Sequence, residues 1–251
     1  MPDPISSLRL TDRVAVVTGG GRGIGRAIAL GLATEGADIC IVARTEHQLR
    51  SVTGEIEALG RSTLAVVADC TQPEQVEAMA GQVRARFGRL DILANNAGGG
   101  IESKPVLESD PELWVKDVQV NLMSAYLVTR HLLSLMVETG GGKIINTGSG
   151  MGHGAGPGNS AYRVGKAGMW MFTQCLAAEV WEQGIEVNEL VPGPVQTDLT
   201  NTRMQVGAPP PFAPSERVKY PEEVAPLAVW LAKQPPGGPT AQSFSLARRP
   251  I

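Results

Sequence analysis

From Asp12 to about Leu190, short runs rich in β-branched residues alternate with longer stretches in which apolar residues recur every three or four positions. Two parallel strands cannot be joined by a tight turn, so this alternation builds a parallel sheet whose crossovers are helices covering both faces. The spacing predicts strands over Val14 to Thr18, Ile39 to Ala43, Leu64 to Ala68, Ile92 to Ala94, Lys143 to Thr147 and Ile185 to Val191, with an edge strand over Ser243 to Leu246. Leu49, Val52, Ile56 and Leu59 draw one apolar stripe, and Val76, Met79, Val83 and Phe87 draw another, as helices packed on a sheet require. The expected fold class is α/β, a doubly wound parallel sheet of about seven strands. With no internal repeat, charge block or Gly/Ser linker before residue 200, residues 1–251 read as one domain. The pattern breaks near 197–220, where Pro209, Pro210, Pro211 and Pro214 stand beside Met204, Val206 and Phe212, a composition that suits a mobile flap with an apolar face.

Composition narrows the class of partner. At 43% hydrophobic and 19% charged residues the chain has enough apolar matter for a core, and disorder is not expected. Lys and Arg number 22 against 25 Asp and Glu, a net charge of −3 that offers no field for a polyphosphate backbone, so nucleic acid is not an expected partner. No apolar run approaches the roughly 18 residues of a membrane span, and Met1, Pro2, Asp3 and Pro4 lack the blocks of a signal peptide. A cytoplasmic protein without membrane contact is the expectation. Cys40, Cys70 and Cys175 form neither a close pair nor a cluster with His47, His131 or His153, so reduced, mostly buried thiols and no metal site are expected.

Thr18-Gly19-Gly20-Gly21-Arg22-Gly23-Ile24-Gly25 follows the first strand and opens a helix running to Gly36. Glycines there let the backbone turn sharply and approach a pyrophosphate, whose charge meets free amides at the positive end of the helix. Gly19, Gly23 and Gly25 give a G-x-x-x-G-x-G spacing. A phosphate-binding P-loop is excluded because Arg26 and Ala27 stand where Lys and Ser/Thr are needed. By itself the turn is also compatible with a purely structural role.

The adenosine end is readable after the second strand. A carboxylate there would bind both ribose hydroxyls of NAD, but the position holds Ala43, followed by Arg44. Arg44 and Arg22 can converge on a 2′-phosphate with no acid opposing them, so NADP(H) is expected over NAD(H), which the site still admits. Solvated surface arginines are the plainer alternative. Asp38 begins its strand and lies at the wrong end. Asp69, with Cys70 beside it, and Asn95-Asn96-Ala97-Gly98 follow the third and fourth strands, where open sheets bind ligands. Asp69 could accept from the adenine amine and Asn95 could brace the adenosine. Turn capping by Asp69 and the asparagines is equally consistent.

Tyr162 and Lys166, four apart in a helical stretch from Ala161 to Trp181, share a face. A phenol titrates near pH 10, and a neighbouring ammonium together with an oxidised nicotinamide favours the phenolate, making Tyr162 a usable acid or base. Ser149, just past the fifth strand, could donate to a developing alkoxide, although alone it reads as a turn serine.

Taken jointly and in order, these motifs resemble the short-chain dehydrogenase/reductase family, and within it the 3-oxoacyl-carrier-protein reductases. The resemblance rests on T-G-x-x-x-G-x-G at Thr18 to Gly25, N-N-A-G at Asn95 to Gly98, Ser149, and Y-x-x-x-K at Tyr162 to Lys166, and it spans nearly the whole chain. It implies a Rossmann-type fold and a fourth catalytic residue, Asn121 in Val120-Asn121-Leu122. It also implies contacts to the nicotinamide amide from Pro192, Gly193, Val195 and Thr197 of a P-G-x-x-x-T motif, and a Lys166 that binds the nicotinamide ribose as well as tuning Tyr162. The reaction implied interconverts a ketone or 3-oxoacyl carbonyl and a secondary alcohol, without a metal, in a homotetramer. Met151, Met204 and Phe212 fit a fairly apolar substrate. His153 could touch substrate, the plainer expectation being an exposed loop residue without a role. The tail departs from the family's usual Asp-Gly-Gly ending, running Ser243 to Pro250. A non-catalytic regulator or scaffold of the same fold is the alternative, and such a protein would be expected to have lost Tyr162 or Lys166.

Overall fold

The structure is a computed structural model and describes residues 10–198, 200, 204–210 and 213–248. Seven strands form one wholly parallel sheet: β1 (Val14–Thr18), β2 (Asp38–Ala43), β3 (Thr63–Val67), β4 (Ile92–Asn95), β5 (Gly142–Thr147), β6 (Ile185–Val191) and β7 (Ser243–Ser245), in the order β3-β2-β1-β4-β5-β6-β7. Each predicted strand is present within a residue or so of its expected bounds. The shifts follow the pairing: Ile39 lies opposite Thr63, which draws β3 one residue earlier, and Asn95 lies opposite Asn146, which carries β4 one residue further.

Alternation along the strands divides the core into two layers. Ala15 and Val17 of β1 face the layer of Ile28, Leu32, Leu49, Ile56 and Leu231, while Val14 and Val16 face that of Val76, Met79, Val83, Leu132 and Met136. Each fully buried aliphatic side chain stabilises the fold by roughly 1.5–3 kcal/mol, so helices α1 (Gly23–Thr34), α2 (Glu46–Ala58) and α3 (Pro73–Phe87) hold to the sheet through their stripes. Leu59 is an exception, because α2 ends at Ala58 and leaves this side chain exposed in the cap. Cys40 and Cys70 are buried in the second layer, whereas Cys175 is exposed on α6 (Ser160–Val180), contrary to expectation for that thiol.

Helix α4 (Pro111–Val118) continues through a π-helical turn at Gln119–Met123 into α5 (Ser124–Thr139). The run Pro111–Thr139 is therefore 29 residues long, with a mean hydropathy of 1.2 in its most apolar window, long and apolar enough by those measures to cross a membrane. The sequence holds no uninterrupted apolar run of that length, since Lys116, Asp117 and Arg130 break it. The length of the helix arises from continuity through the π turn, and Val128, Leu132, Leu135 and Met136 pack into the sheet layer, as a core helix does.

The described part of the 197–220 segment is tied down by bridges pairing Val195 with Lys219 and Val206 with Val218, which bury Ala213 and Val218. It leads into α7 (Ala225–Ala232), packed on α1. Pro211 and Phe212 of the expected flap, and Arg249 and Pro250 of the tail, lie outside the described residues, as do Met1 to Pro4.

Candidate active site

Between β1 and β4 the strand order changes direction, and a cleft opens at the carboxyl ends of the strands, where such sheets bind ligands. The glycine turn floors it. Gly19 has φ +65°, the left-handed region open to glycine, and a Cβ on Gly25 would collide with the Gly19 carbonyl oxygen, so only hydrogen fits there. Arg22 enters α1 in extended conformation without a side-chain cap, which leaves the first amides of that helix for a ligand. Gly19, Gly21, Arg22, Gly23 and Ile24 line the cleft on this side; Gly25 sits behind them and shapes the turn. A pyrophosphate fits this cradle.

Past the end of β2, Arg44, Asp69 and Cys70 line the cleft. Each arginine nevertheless faces an acid: Arg22 Nη1 lies 2.9 Å from Asp198 Oδ2, and Arg44 Nη1 lies 3.9 Å from Asp69 Oδ2. The expectation of unopposed guanidiniums is corrected, because Asp198 arrives from a loop 176 residues away in sequence. Both arginines are exposed, so these pairs are weak and leave the guanidiniums open to exchange partners. Asp69 Oδ1 accepts from the amide and hydroxyl of Thr71, the turn-capping alternative, while its carboxylate still borders the cleft. Asp38 accepts from Arg61 and the Ser62 amide at the opposite end of the sheet. Burial pushes the Cys70 thiol up to about 12, so this cleft cysteine is unreactive.

Asn95 does not reach the cleft. Its amide donates to Thr129 Oγ1 and Asn146 Oδ1 between β4 and β5, a correction that follows from strand alternation, since Asn95 points inward and Asn96 outward. Asn96 lines the cleft with Ala97 and Gly98 and ties the β4 exit to β1 through Thr18. On the nicotinamide side Thr197 borders the cleft, whereas Pro192 and Val195 are buried behind it and Gly193, at φ +67°, turns the chain.

Four side chains from three elements gather beyond Gly98. Tyr162 and Lys166 share a face of α6, with the Lys166 ammonium 5.9 Å from the centre of the Tyr162 ring. Lys166 Nζ is buried and donates to the Thr147 carbonyl at 2.8 Å. Ser149, one residue past Gly148, is near enough to the Tyr162 phenol to favour its ionisation, and its hydroxyl accepts from the Met151 amide. Asn121 occupies the π turn, whose extra residue turns its amide inward to donate to the carbonyls of Asp117 and Gly99 at 2.9 and 2.6 Å. Gly98 permits this convergence, because its Cβ would meet Asn121 Oδ1 at 3.0 Å and Lys166 Nζ at 3.3 Å.

Electrostatically the site differs from the expectation in one respect. The protein's own groups hold the Tyr162 phenol above its ordinary value, chiefly through burial and also through the Asp117 charge, while Ser149 works the other way. Lys166 is pushed down to about 8 by burial, against the opposing pull of Glu189 and Asp117. The Lys166 ammonium stands 5.9 Å from the centre of the Tyr162 ring.

Sequence reading missed three residues. Asp117, fully buried on α4, accepts from Asn121 at 2.7 Å and from the Ile101 amide at 3.1 Å, fixing the loop after Gly98. His153 is not an exposed bystander: its side chain is 11% exposed and its Nε2 lies 2.8 Å from Oε2 of the wholly buried Glu189. The one available signal for Glu189 was an acid in the otherwise apolar end of a strand. Among the described residues no group of three His, Cys, Asp or Glu is placed to hold a metal.

Comparison with known proteins agrees with this arrangement. A family model for short chain dehydrogenases matches residues 13–206. The chain is 35% identical over 241 residues to a 3-oxoacyl-[acyl-carrier-protein] reductase of Synechocystis, covering 94% of this chain and 96% of the relative. It is 37% identical over 233 residues to an oxidoreductase of Mycobacterium tuberculosis, covering 91% and 88%. Among solved structures, levodione reductase superposes with a TM-score of 0.87 at 30% identity, covering 95% of this chain and 97% of that one. A short-chain type dehydrogenase/reductase from Mycobacterium marinum superposes with a TM-score of 0.86 at 28% identity, covering 97% of each. The chain belongs to the short-chain dehydrogenase/reductase family and is an oxidoreductase that resembles the 3-oxoacyl-carrier-protein reductases.

Proposed function

We propose that the protein interconverts a fairly apolar ketone or 3-oxoacyl carbonyl and its secondary alcohol, using NADP(H) in preference to NAD(H). The observation that carries this reading is the gathering of Ser149, Tyr162, Lys166 and Asn121 behind Gly98, which lines the glycine-floored cleft.

Bound there, the dinucleotide supplies or accepts a hydride at the substrate carbon. Ser149 donates its hydroxyl to the substrate oxygen and holds it against the phenol. Tyr162 Oη gives its proton to that oxygen in reduction and takes it back in oxidation. A phenol held above its ordinary value is fully protonated at neutrality, which suits the reductive direction. Lys166 would hold the nicotinamide ribose and steady charge on Tyr162, and Asn121, which donates to the Gly99 carbonyl and accepts from its amide, would hold a water linking Lys166 to bulk solvent. Pro192, Gly193, Val195 and Thr197 would hold the nicotinamide amide, with Ala97 and Gly98 lining the same cleft. Arg22 and Arg44 exchange Asp198 and Asp69 for the 2′-phosphate, which is the basis for preferring NADP(H). Self-association into a tetramer, a cytoplasmic location and a single domain over 1–251 belong to the same reading, supported by the family.

Titration of intrinsic fluorescence with NADPH and NADH, followed by a panel of ketones and alcohols read at the reduced-nicotinamide absorbance, tests it. We expect tighter binding of NADPH, turnover of apolar ketones, and a reversed cofactor preference in Arg44→Asp. An unchanged preference in that variant removes the argument for NADP(H), and binding without turnover across the panel favours a regulatory role.

A further inference from the structure

Glu189 lies on β6 between β5 and β7, in register with Asn146 and Ser243, and is 0% exposed. One carboxylate oxygen, Oε2, lies 2.8 Å from His153 Nε2 and accepts from Ser243 Oγ at 2.5 Å. The other, Oε1, is buried without a hydrogen bond and fills the space that a Cβ on Gly148 would need. Its carboxylate thus presses on the peptide that joins two working parts of the site. Thr147, on one side of Gly148, offers its carbonyl to Lys166; Ser149, on the other, opens the turn that ends at His153. The His153 ring in turn stands 5.2 Å from that of Trp170, one helical turn beyond Lys166 on α6.

A clasp between strand and turn needs no charge. A glutamine in place of the acid would offer His153 and Ser243 the same acceptor and spare the cost of a buried anion, which is several kcal/mol. A retained anion with an idle oxygen therefore points to an electrostatic partner. The buried cation that donates to the Thr147 carbonyl, next to Gly148, is Lys166, at 3% exposure. The charged and titratable groups facing Lys166 are Glu189 from β6, Asp117 from α4 and Tyr162 from its own helix; His153 faces Glu189.

We propose that Glu189, clamped by His153 and Ser243 behind Gly148, is a positioning residue that fixes the Ser149 turn and supplies the buried negative charge that keeps Lys166 an ammonium. The inference deepens the proposed role of Lys166 and rests on it. Burial alone drives Lys166 toward neutrality, and of the influences opposing this the Glu189 charge is the larger, ahead of Asp117. Asp117 is itself held toward its protonated form by burial.

The test is the pH dependence of NADPH binding, followed by nucleotide fluorescence from pH 6 to 10, which needs no substrate. Wild type should lose affinity as Lys166 deprotonates near pH 8. Glu189→Gln should move that midpoint down by about one unit, the scale of a single nearby charge. Glu189→Asp, which keeps the charge, and His153→Gln, which keeps both a donor and the acid, should leave it near the wild-type position. A midpoint unmoved in Glu189→Gln, with affinity otherwise intact, overturns the electrostatic role. So does failure of both Glu189 variants to fold in thermal melts, which would make the acid structural. A wild type that binds no dinucleotide overturns the assignment of the cleft instead, and is thereby distinguished.

Discussion

At the amino ends of β4, β5 and β6 the sheet closes its buried charges around Asp91 and around Lys143 with Glu186; at the carboxyl ends it leaves such sets open. Asp91, before β4, accepts from Arg13, Arg89 and the Val14 amide, and these partners hold its carboxyl below the usual range despite burial. Lys143 on β5 pairs with Glu186 on β6 at 2.6 Å and also donates to the Pro235 carbonyl, while Glu186 takes the Gly237 amide. Three residues along the same strand Glu189 keeps an idle oxygen, Lys166 answers burial with a single backbone acceptor, and α1 starts without a cap. Satisfied charges stabilise a fold, whereas unsatisfied ones cost it stability and are kept where the site has a use for them.

The sharpest way to break this contrast is at the open end. Tyr162→Phe should lower turnover by about two to four decades, the range of general acid catalysis, while NADPH binding, read by fluorescence, stays near wild type. Near-normal turnover would show that the open end does not house the proton donor. At the closed end, Asp91→Ala should cost about 2 to 3 kcal/mol in urea unfolding, after allowance for the exposure of both arginines, with unchanged NADPH affinity. The sign with pH follows from its lowered value: Asp91 contributes its stability above the unfolded-state range near pH 4, and loses it as pH falls through the folded value. The wild-type advantage over Asp91→Ala should therefore shrink in acid. The smallest effect is expected away from both ends: Arg84, paired with Glu138 on the solvent face of α3 and α5, should tolerate Arg84→Ala without a measurable change in the urea midpoint.

Much of this was legible in the chain. Seven strands, the helical stripes and the glycine turn each arise from neighbours a few residues apart, and so does the shared face of Tyr162 and Lys166. Asn95 and Asn96 were not separable, because adjacent strand residues point to opposite sides and pairing with β5 decides which side is the cleft. The acids facing Arg22 and Arg44, and the pairing of His153 with Glu189, join segments that sequence leaves far apart. The π turn at Asn121 likewise gives no local signal, since Gln119–Met123 reads as ordinary helix.

The sequence by itself determined the α/β class, the position of the dinucleotide cradle and the phenol–amine pair, because periodicity and motif spacing act over one or two turns of chain. Tertiary structure alone decided which buried charges meet and which stay incomplete. Parallel pairing brings β4, β5, β6 and β7 side by side from distant parts of the chain, and charge interactions depend on separation in space.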